Sequence, residues 1–433
     1  MSSDERKVPV PPIYVRSRPL TSRPSRAAFY LGLTVSLVSL ALVAYFTYSF
    51  DSSPLAKGFV SDEVYYASVS AKLAEYMFGY SGPLTNISPS ISPTYWNFEH
   101  PPLGKYIIAL SIAALHTTSW IGYRLPEIVM TSLEPLIVYL AFAWPPSADP
   151  DSIPRSAAGA VASVIFPLEH IVRVEGGLAL LDPIATFFVT ISLALAMRRK
   201  YIASAFAAGL AIASKETALP IALAIAIYYI LSEDRRLLSP LKAAGVFLMP
   251  LAVALLSYVP EVIYFGLSSV INGGLLVMLH WDIVSRPSGP TPSTPWQWLV
   301  NVDSMTLAYG LVKGRMVYVD ASMTPAISLG GLAIAVYAVL SRVMNRYKGP
   351  YDAPSIYFLV EFLGFCADYA IGDHTLYSFY SIILVPMIAA LWGELAYSLL
   401  SAVRERPPRA EAQITSSGTG VGGPVTTPSV PEG

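Results

Sequence analysis

Charged residues are scarce in this sequence. Asp, Glu, Lys and Arg make up 13% of its 433 residues, which is about half the share found in soluble domains. Hydrophobic residues make up 54%, and the mean hydropathy is +0.52. Long apolar runs separated by short polar links indicate an all-α polytopic membrane protein and exclude an ordinary soluble domain.

Cysteine is almost absent as well. The single residue, Cys366, excludes an internal disulfide and any cysteine-based metal cluster. The sequence also contains no GxxxxGK phosphate loop, so no ATP site is expected. The formal net charge of −1 gives no sign of nucleic-acid binding, and no nucleic acid is expected as a partner.

Ten segments are apolar and long enough to predict about ten helices that span a membrane. The first of them is longer than the core of a signal peptide and lacks a clear small-residue cleavage site, so it is predicted to be retained. No internal repeat is visible. The ten segments lie near 27–48, 125–145, 156–172, 178–197, 201–215, 218–232, 243–265, 323–342, 353–371 and 376–402.

The distribution of Lys and Arg predicts which loops face the cytoplasm. A further apolar segment, 101–120, opens with Pro-Pro and carries Lys105 in its first turn. If this segment lies along the outer surface, most of the 28 Lys and Arg residues fall on one side, which the positive-inside rule makes cytoplasmic. Residues 51–123 then form an external first loop that carries surface helices, and residues 266–322 form a second external loop.

The same topology places both termini in the cytoplasm. The arm 1–26 is rich in Pro and Arg, and the tail 404–433 has low complexity, so both are predicted to be disordered. Residues 27–403 between them are predicted to form one transmembrane domain of the cell membrane. Its clustered polar motifs face the outside.

Two adjacent acidic residues, Asp62 and Glu63, follow the first span by about ten residues. The segment after them has the apolar spacing of a helix that packs on the membrane surface. A carboxylate that is partly desolvated at such an interface can act as a general base. The alternative is a solvated pair in a loop, and the residues alone leave both open.

Three cations are predicted at the same level of the membrane. His100 and Lys105 lie in the stretch EHPPLGK, and Arg124 lies at the start of the next span. Positive groups at an interface suit the anionic phosphate of a lipid head group.

Further ionisable residues lie near the outer ends of later spans. Asp182 lies at the outer end of one span, where an ionisable side chain is a functional candidate. Its alternative function is to cap the helix beside Pro183. Lys215 and Glu216 lie at the turn between two short spans and could equally be a polar hairpin tip.

These motifs, taken in order, resemble a known family. The stretches are SDEVYY (61–66), EHPPLGK (99–105), YR (123–124), LLDP (180–183) and SKETAL (214–219). They are similar to those of the dolichyl-phosphate-mannose protein mannosyltransferases, which are membrane-embedded GT-C glycosyltransferases. The likeness covers roughly residues 27–235. It implies a GT-C type helical bundle whose catalytic domain is 27–403.

The resemblance also implies functions for single residues. Asp62 would be the catalytic base that deprotonates the acceptor hydroxyl, and Glu63 would help to position the acceptor. The phosphate of the lipid donor would be held by His100, Lys105 and Arg124.

Other residues would surround the same cavity. Asp182 is implied to line it, and Glu99 and Lys215 are expected on its cavity or acceptor side. The family inserts a large β-trefoil domain in eukaryotic members, and the 266–322 loop is far too short for one. This departure indicates a compact prokaryotic or archaeal type and leaves the acceptor open.

The implied function is the transfer of a sugar, in the first place mannose, from a polyprenyl (dolichyl) phosphate donor to a hydroxyl acceptor. The acceptor is expected to be a protein Ser or Thr, with a lipid or a glycan as alternatives, and the donor is expected to enter from the membrane lipids. An inverting single displacement requires no cofactor and no divalent metal, although metal dependence stays open. The rival functions are a related lipid- or glycan-modifying GT-C transferase and a secondary transporter.

Overall fold

The computed structural model describes residues 26–146, 151–233, 239–281, 283–284, 289–344 and 352–405. Almost all of the predicted arm 1–26 and tail 404–433 therefore lies outside the described residues. The polar cluster EDRR (233–236) and most of RVMNRYK (342–348), both used to predict the cytoplasmic side, also lie mainly outside them.

The described chain is mainly helical, as predicted, and each of the ten predicted spans contains a helix. The helices are α1 (Arg26–Asp51), α2 (Glu63–Phe78), α3 (Pro102–Leu115), α4 (Trp120–Ala143), α5 (Ser152–Leu168), α6 (His170–Glu175), α7 (Leu181–Met197), α8 (Tyr201–Ser214), α9 (Pro220–Ser232), α10 (Pro240–Ser257), α11 (Val259–Phe265), α12 (Leu267–Val270), α13 (Leu276–Trp281), α14 (Pro295–Trp298), α15 (Pro325–Val343), α16 (Ala353–Ile371) and α17 (Val385–Glu405).

Several short turns of helix connect these elements. Three are 3-10 helices, and one is a π-helix that joins α12 to α13. They span Pro54–Ala56, Glu216–Ala218, Ser378–Leu384 and, for the π-helix, Ile271–Leu275.

Six helical segments of the described chain are long and apolar enough to cross a membrane. They confirm a multi-pass membrane protein, while the number of crossings stays a prediction. The segment α3 has 14 residues, about 21 Å of helix against a hydrocarbon core of about 30 Å. Since α8 and α9, with 14 and 13 residues, are about as short, length alone does not separate surface helices from spans.

The predicted external loop 51–123 is a folded part of the protein. Its helices α2 and α3 pack on each other and bury Tyr66, Leu73, Ile108 and Ile112. The larger core of the protein lies among the later helices, around Phe166, Ile225 and Leu391. The core of α2 and α3 is a second one, and it also includes the residues that lead into α7. Proline at the first position of α3, Pro102, lacks an amide hydrogen that would have no partner there.

One element departs from an all-α fold. Strands β1 (Thr306–Val312) and β2 (Arg315–Asp320) form an antiparallel hairpin in the predicted second external loop. Lys313 and Gly314 make the turn with φ of 49° and 77°, which matches the right-handed twist of paired strands. The all-α prediction missed this hairpin because the stretch is short and lies between helices.

The helices α1, α4 and α5 approach closely around Tyr139, which is fully buried. A Cβ atom on Gly159 would lie 2.9 Å from the Tyr139 carbonyl oxygen, and one on Gly32 would lie 2.9 Å from the Ser156 carbonyl oxygen. Small residues allow this approach of helix backbones, which drives helix packing in membranes.

The close packing predicts that Gly159→Ala destabilises the protein, because a backbone oxygen must move to admit the methyl group. Gly245→Ala is the matched control, since nothing lies within 4 Å of the Cβ position there. The control should be neutral or more stable by up to about 1 kcal/mol, because Ala favours the helix over Gly. Thermal unfolding in detergent measures both, and equal midpoints for the two variants would contradict the packing.

Candidate active site

The first turn of α2 presents Asp62 at the edge of the folded loop. Ser61 has a positive φ of 53°, and Asp62 forms the N-cap of α2. No residue in the described part of the chain donates a side-chain or backbone hydrogen bond to the Asp62 carboxylate, which is half-buried. The carboxylate of Asp62 is therefore partly exposed and is not occupied by a donor from the described chain.

Tyr66 lies one helical turn after Asp62 and is buried, with 1% of its surface exposed. Residues four apart share a helix face, so the phenol lies on the side of α2 that carries Asp62. Burial raises the pKa of Tyr66 well above its usual value, and the charge of Asp62 adds to the shift. Tyr66 therefore stays a neutral phenol.

Glu63 forms a buried ion pair with Arg124. The Arg124 Nε atom donates to Glu63 Oε1 at 2.7 Å, and Nη2 donates to Oε2 at 2.5 Å. Both side chains are fully buried. Two backbone amides, those of Val60 and Ala179, also donate to the Glu63 carboxylate. The carboxylate therefore joins α2, α4 and the segment that leads into α7.

The remaining donors of Arg124 bind backbone carbonyls of the loop after α1. Nη1 donates to the oxygens of Asp51 and Ala56 at 3.0 and 3.1 Å, and Nη2 donates to that of Gly58 at 2.9 Å. A guanidinium group has five N–H donors, and all of them are used within the protein. Arg124 has no N–H donor left for the predicted phosphate. Both oxygens of Glu63 already accept hydrogen bonds within the protein, so neither is left for the predicted acceptor.

Lys105 is also engaged within the protein. Its Nζ atom donates to the carbonyl oxygens of Asn97 at 2.5 Å and His100 at 3.0 Å, and it lies 3.5 Å from the Glu261 carboxylate. The side chain is fully buried. Two of the three donors of this ammonium group bind backbone carbonyls, and the third lies buried beside the Glu261 carboxylate, so Lys105 is poorly placed for the predicted phosphate. Lys105 instead shapes the turn that presents His100.

A second polar cluster lies beside Asp62, and we define it as His100, Lys215, Glu216 and Tyr66. The His100 Nδ1 atom lies 2.8 Å from Glu216 Oε1 and 3.3 Å from Lys215 Nζ. Lys215 Nζ also donates to the Tyr66 hydroxyl at 3.1 Å and lies 3.4 Å from Glu216. Burial lowers the pKa of His100 below its usual value, against the Glu216 carboxylate, so the ring is neutral at pH 7.

Asp182 faces this cluster from the first turn of α7. Its side chain is 1% exposed, and no described residue donates a hydrogen bond to its oxygens. Lys215 is the cation whose charge acts on it most, and Asp62 also acts on it. The charges of Lys215 and Asp62 thus act on Asp182, and its predicted place in the lining of a cavity stays a prediction.

Glu99 has a local function in the structure. Its Oε1 atom accepts hydrogen bonds from the Tyr95 hydroxyl and from Asn97 Nδ2, the latter at 3.0 Å. These bonds close the turn before α3. The predicted place of Glu99 at the acceptor side is not tested by these contacts.

The structure brings in residues that sequence reasoning missed. Tyr66 was predicted only as part of an apolar face, although its spacing of four from Asp62 was a usable signal. Glu127 and Glu175 are fully buried, and no described residue donates a hydrogen bond to their carboxylates. In the described part of the chain no three His, Cys, Asp or Glu side chains form a group that could hold a metal ion.

Comparison with known proteins agrees with this architecture. Residues 99–264 match the family described as dolichyl-phosphate-mannose-protein mannosyltransferase. The family resemblance is confirmed over that stretch. It contains the HPPLGK, LLDP and SKETAL motifs, while Asp62 and Glu63 lie outside it. No curated protein matches the chain.

Solved structures match over most of the chain. ArnT from Cupriavidus metallidurans bound to undecaprenyl phosphate matches with a TM-score of 0.51 and 18% identity, over 86% of this chain and 60% of that one. Its apo state matches with a TM-score of 0.53 and 17% identity, over 85% and 60%. The chain has the GT-C fold. The chain thus spans about 60% of the length of ArnT.

An archaeal structure matches as well. The oligosaccharyltransferase AglB from Archaeoglobus fulgidus, in complex with an inhibitory peptide and a dolichol-phosphate, gives a TM-score of 0.48 and 12% identity. The match covers 88% of the GT-C chain and 52% of AglB.

The ion pair predicts that Arg124→Met destabilises the protein by about 3–5 kcal/mol, because Glu63 is left buried without its counter-charge. The double variant Glu63→Gln/Arg124→Met removes both charges and should be more stable than Arg124→Met alone. Denaturant unfolding in detergent measures the free energy of unfolding of Arg124→Met, Glu63→Gln and the double variant. Strictly additive losses would show that the two side chains are not coupled.

Proposed function

We propose that this GT-C chain is a glycosyltransferase that moves a sugar from a polyprenyl phosphate donor to a hydroxyl acceptor. The observation that carries the proposal is the accessible Asp62 carboxylate next to the Lys215–His100 cluster. A free base and a buried cation side by side are the two groups that such a transfer needs. The family match and the GT-C fold support the same reaction class.

Asp62 acts as the general base. It takes the proton of the acceptor hydroxyl as that oxygen attacks the anomeric carbon of the donor sugar. The bond from the anomeric carbon to the phosphate oxygen breaks in the same step, and the phosphate leaves with the electron pair. The anomeric centre is inverted, so no second carboxylate nucleophile and no ATP are required.

Lys215 is the cation that we assign to the leaving phosphate, with His100 beside it. Two of its three close partners, the Tyr66 hydroxyl and the neutral His100 ring, carry no charge. All three are side-chain groups at 3.1 to 3.4 Å. A phosphate forms shorter, charge-assisted bonds and can displace such partners. Lys105 and Arg124 are bound mainly by backbone carbonyls, which cannot swing away.

Three residues affect the reaction only by positioning others, namely Glu63, Arg124 and Lys105. The Glu63–Arg124 pair fixes the residue next to Asp62, and Lys105 fixes the turn that carries His100. Asp182, buried and without a hydrogen-bond donor to its carboxylate, faces the space where the sugar hydroxyls would lie. A hydroxyl that donates to Asp182 would satisfy that carboxylate.

The finer parts of the function rest on the family description and on the motifs. The sugar is mannose, the acceptor is a protein Ser or Thr, and the site faces the outside of the cell membrane with both termini cytoplasmic. The orientation rests on the distribution of Lys and Arg.

Asp62→Asn should abolish most of the sugar transfer while donor binding persists, because the amide keeps the shape and cannot take a proton. General-base catalysis contributes about 10²–10⁴-fold, so a loss in that range is expected. The control is Glu75→Gln, an exposed carboxylate on the same helix, which should leave turnover unchanged. The assay follows labelled mannose from dolichyl-phosphate mannose into a Ser/Thr-rich peptide and into the lipids and glycans of a membrane extract.

The fraction that carries the label identifies the acceptor. Label in the peptide from the wild type alone supports protein mannosylation with Asp62 as the base. Label only in lipid or glycan keeps the mechanism and replaces the acceptor. Wild-type turnover in Asp62→Asn would remove the base assignment, and no donor binding at all would favour a transporter.

Lys215→Met should weaken donor binding by about tenfold or more, since a charge-assisted hydrogen bond to phosphate is worth roughly 1.5–3 kcal/mol. The exposed Lys57 provides the control variant Lys57→Met, which should bind the donor normally. Binding is measured with dolichyl-phosphate mannose and with dolichyl phosphate. If Arg124→Lys or Lys105→Met weakens binding and Lys215→Met does not, the phosphate assignment is wrong.

A further inference from the structure

The β1–β2 hairpin carries a row of large apolar side chains that nothing in the described chain covers. Tyr309 pairs with Tyr318, and Leu311 pairs with Met316, so the four side chains lie on one face. Their exposed fractions are 70%, 64%, 73% and 51%. The two tyrosine rings stack at 6.2 Å. We call this row the apolar face of the hairpin.

The opposite face of the hairpin packs against the protein. Ala308 is 6% exposed, and a Cβ atom on Gly310 would lie 2.9 Å from the Leu55 side chain. Val319 packs against the second core. The hairpin is therefore attached to the protein by one face and presents its apolar face outward. It is an anchored element and not a loose loop.

The attachment places the hairpin close to the end of a predicted span. Leu55 belongs to the 3-10 helix Pro54–Ala56, which begins three residues after α1 ends at Asp51. In the last turns of α1, Tyr48 packs on Trp120 at the start of α4, with ring centroids 5.7 Å apart. Tyrosine and tryptophan at the ends of spans mark the level of the lipid head groups. The hairpin thus lies at the membrane boundary.

The charges near the tip of the hairpin all have one sign, and the acidic Asp320 lies at its base, where its carboxylate accepts a hydrogen bond from Thr306. Between Leu307 and Val319 the only charged residues are Lys313 and Arg315, which flank the tip, and the stretch contains no acidic residue. Exposed aromatic and aliphatic side chains combined with lysine and arginine fit the interface of an anionic leaflet. A second protein chain would also cover an apolar face, but neither the cations nor the position at the end of α1 is evidence for such a partner.

We infer that the β1–β2 hairpin docks on the head-group region of the membrane beside α1. Tyr309, Leu311, Met316 and Tyr318 face the acyl chains, and Lys313 and Arg315 contact lipid phosphates. The inference rests on the position of the hairpin beside a spanning helix. It does not depend on the proposed glycosyltransferase activity, and its test measures no activity.

A spin label at the apolar face tests the docking. In a Cys366→Ser background, which removes the only cysteine, Leu311→Cys is labelled in the full chain, and Met316→Cys provides a second site if the first does not fold. Lys57→Cys, exposed on the neighbouring loop, is the control. In vesicles of phosphatidylcholine with phosphatidylglycerol, we expect the Leu311 label to be several-fold more accessible to oxygen than to a water-soluble nickel chelate. The Lys57 label should show the reverse.

Two results would overturn the docking. One is a Leu311 label that is as accessible to the nickel chelate as the Lys57 label. The other is a label shielded from both reagents in vesicles and in detergent, which would mean that protein covers the face.

A comparison of two lipid compositions tests whether Lys313 and Arg315 contribute to the docking. The label should lie deeper in vesicles that contain phosphatidylglycerol than in phosphatidylcholine alone, and Lys313→Gln/Arg315→Gln should remove the difference. Equal depth in both lipids for the unsubstituted hairpin would overturn the assignment of these cations to lipid phosphates.

Discussion

The buried pair of Glu63 and Arg124 is the contact on which the candidate site depends. Each charge would be costly to bury alone, and together the two side chains satisfy each other and form hydrogen bonds with five backbone groups around them. The pair ties the loop after α1 to α2, α4 and the start of α7. Since Asp62 immediately precedes Glu63, its position follows from this arrangement.

The cations near the site differ in what holds them. Arg124 and Lys105 bind carbonyl oxygens of the backbone, which are fixed by the fold. All five donors of Arg124 are used, and the third donor of Lys105 is buried beside Glu261. Lys215 binds only side chains, at longer distances. A cation of the second kind can exchange its partners for a ligand at a lower cost in free energy. This difference is the basis on which we propose Lys215, and not Arg124 or Lys105, as the cation that binds the phosphate.

The membrane boundary gives a common explanation for two parts of the molecule. The helices α2 and α3 form a packed layer on the end of the bundle, and the hairpin is attached next to them through Leu55. In the docking that we propose, elements in this zone contact protein on one side and lipid head groups on the other. Both the half-exposed carboxylate of Asp62 and the uncovered apolar face of the hairpin suit such a mixed environment.

The sequence by itself determined the helical class, the positions of ten apolar segments and the residue types gathered at one end of the bundle. Those features follow from local hydrophobicity and from the order of short motifs, which are properties of neighbouring residues. Only the tertiary structure decided which charges pair. Glu63 and Arg124 are 61 residues apart, and His100 and Glu216 are 116 apart. No spacing in the sequence encodes such contacts, because the packing of separate helices brings the partners together.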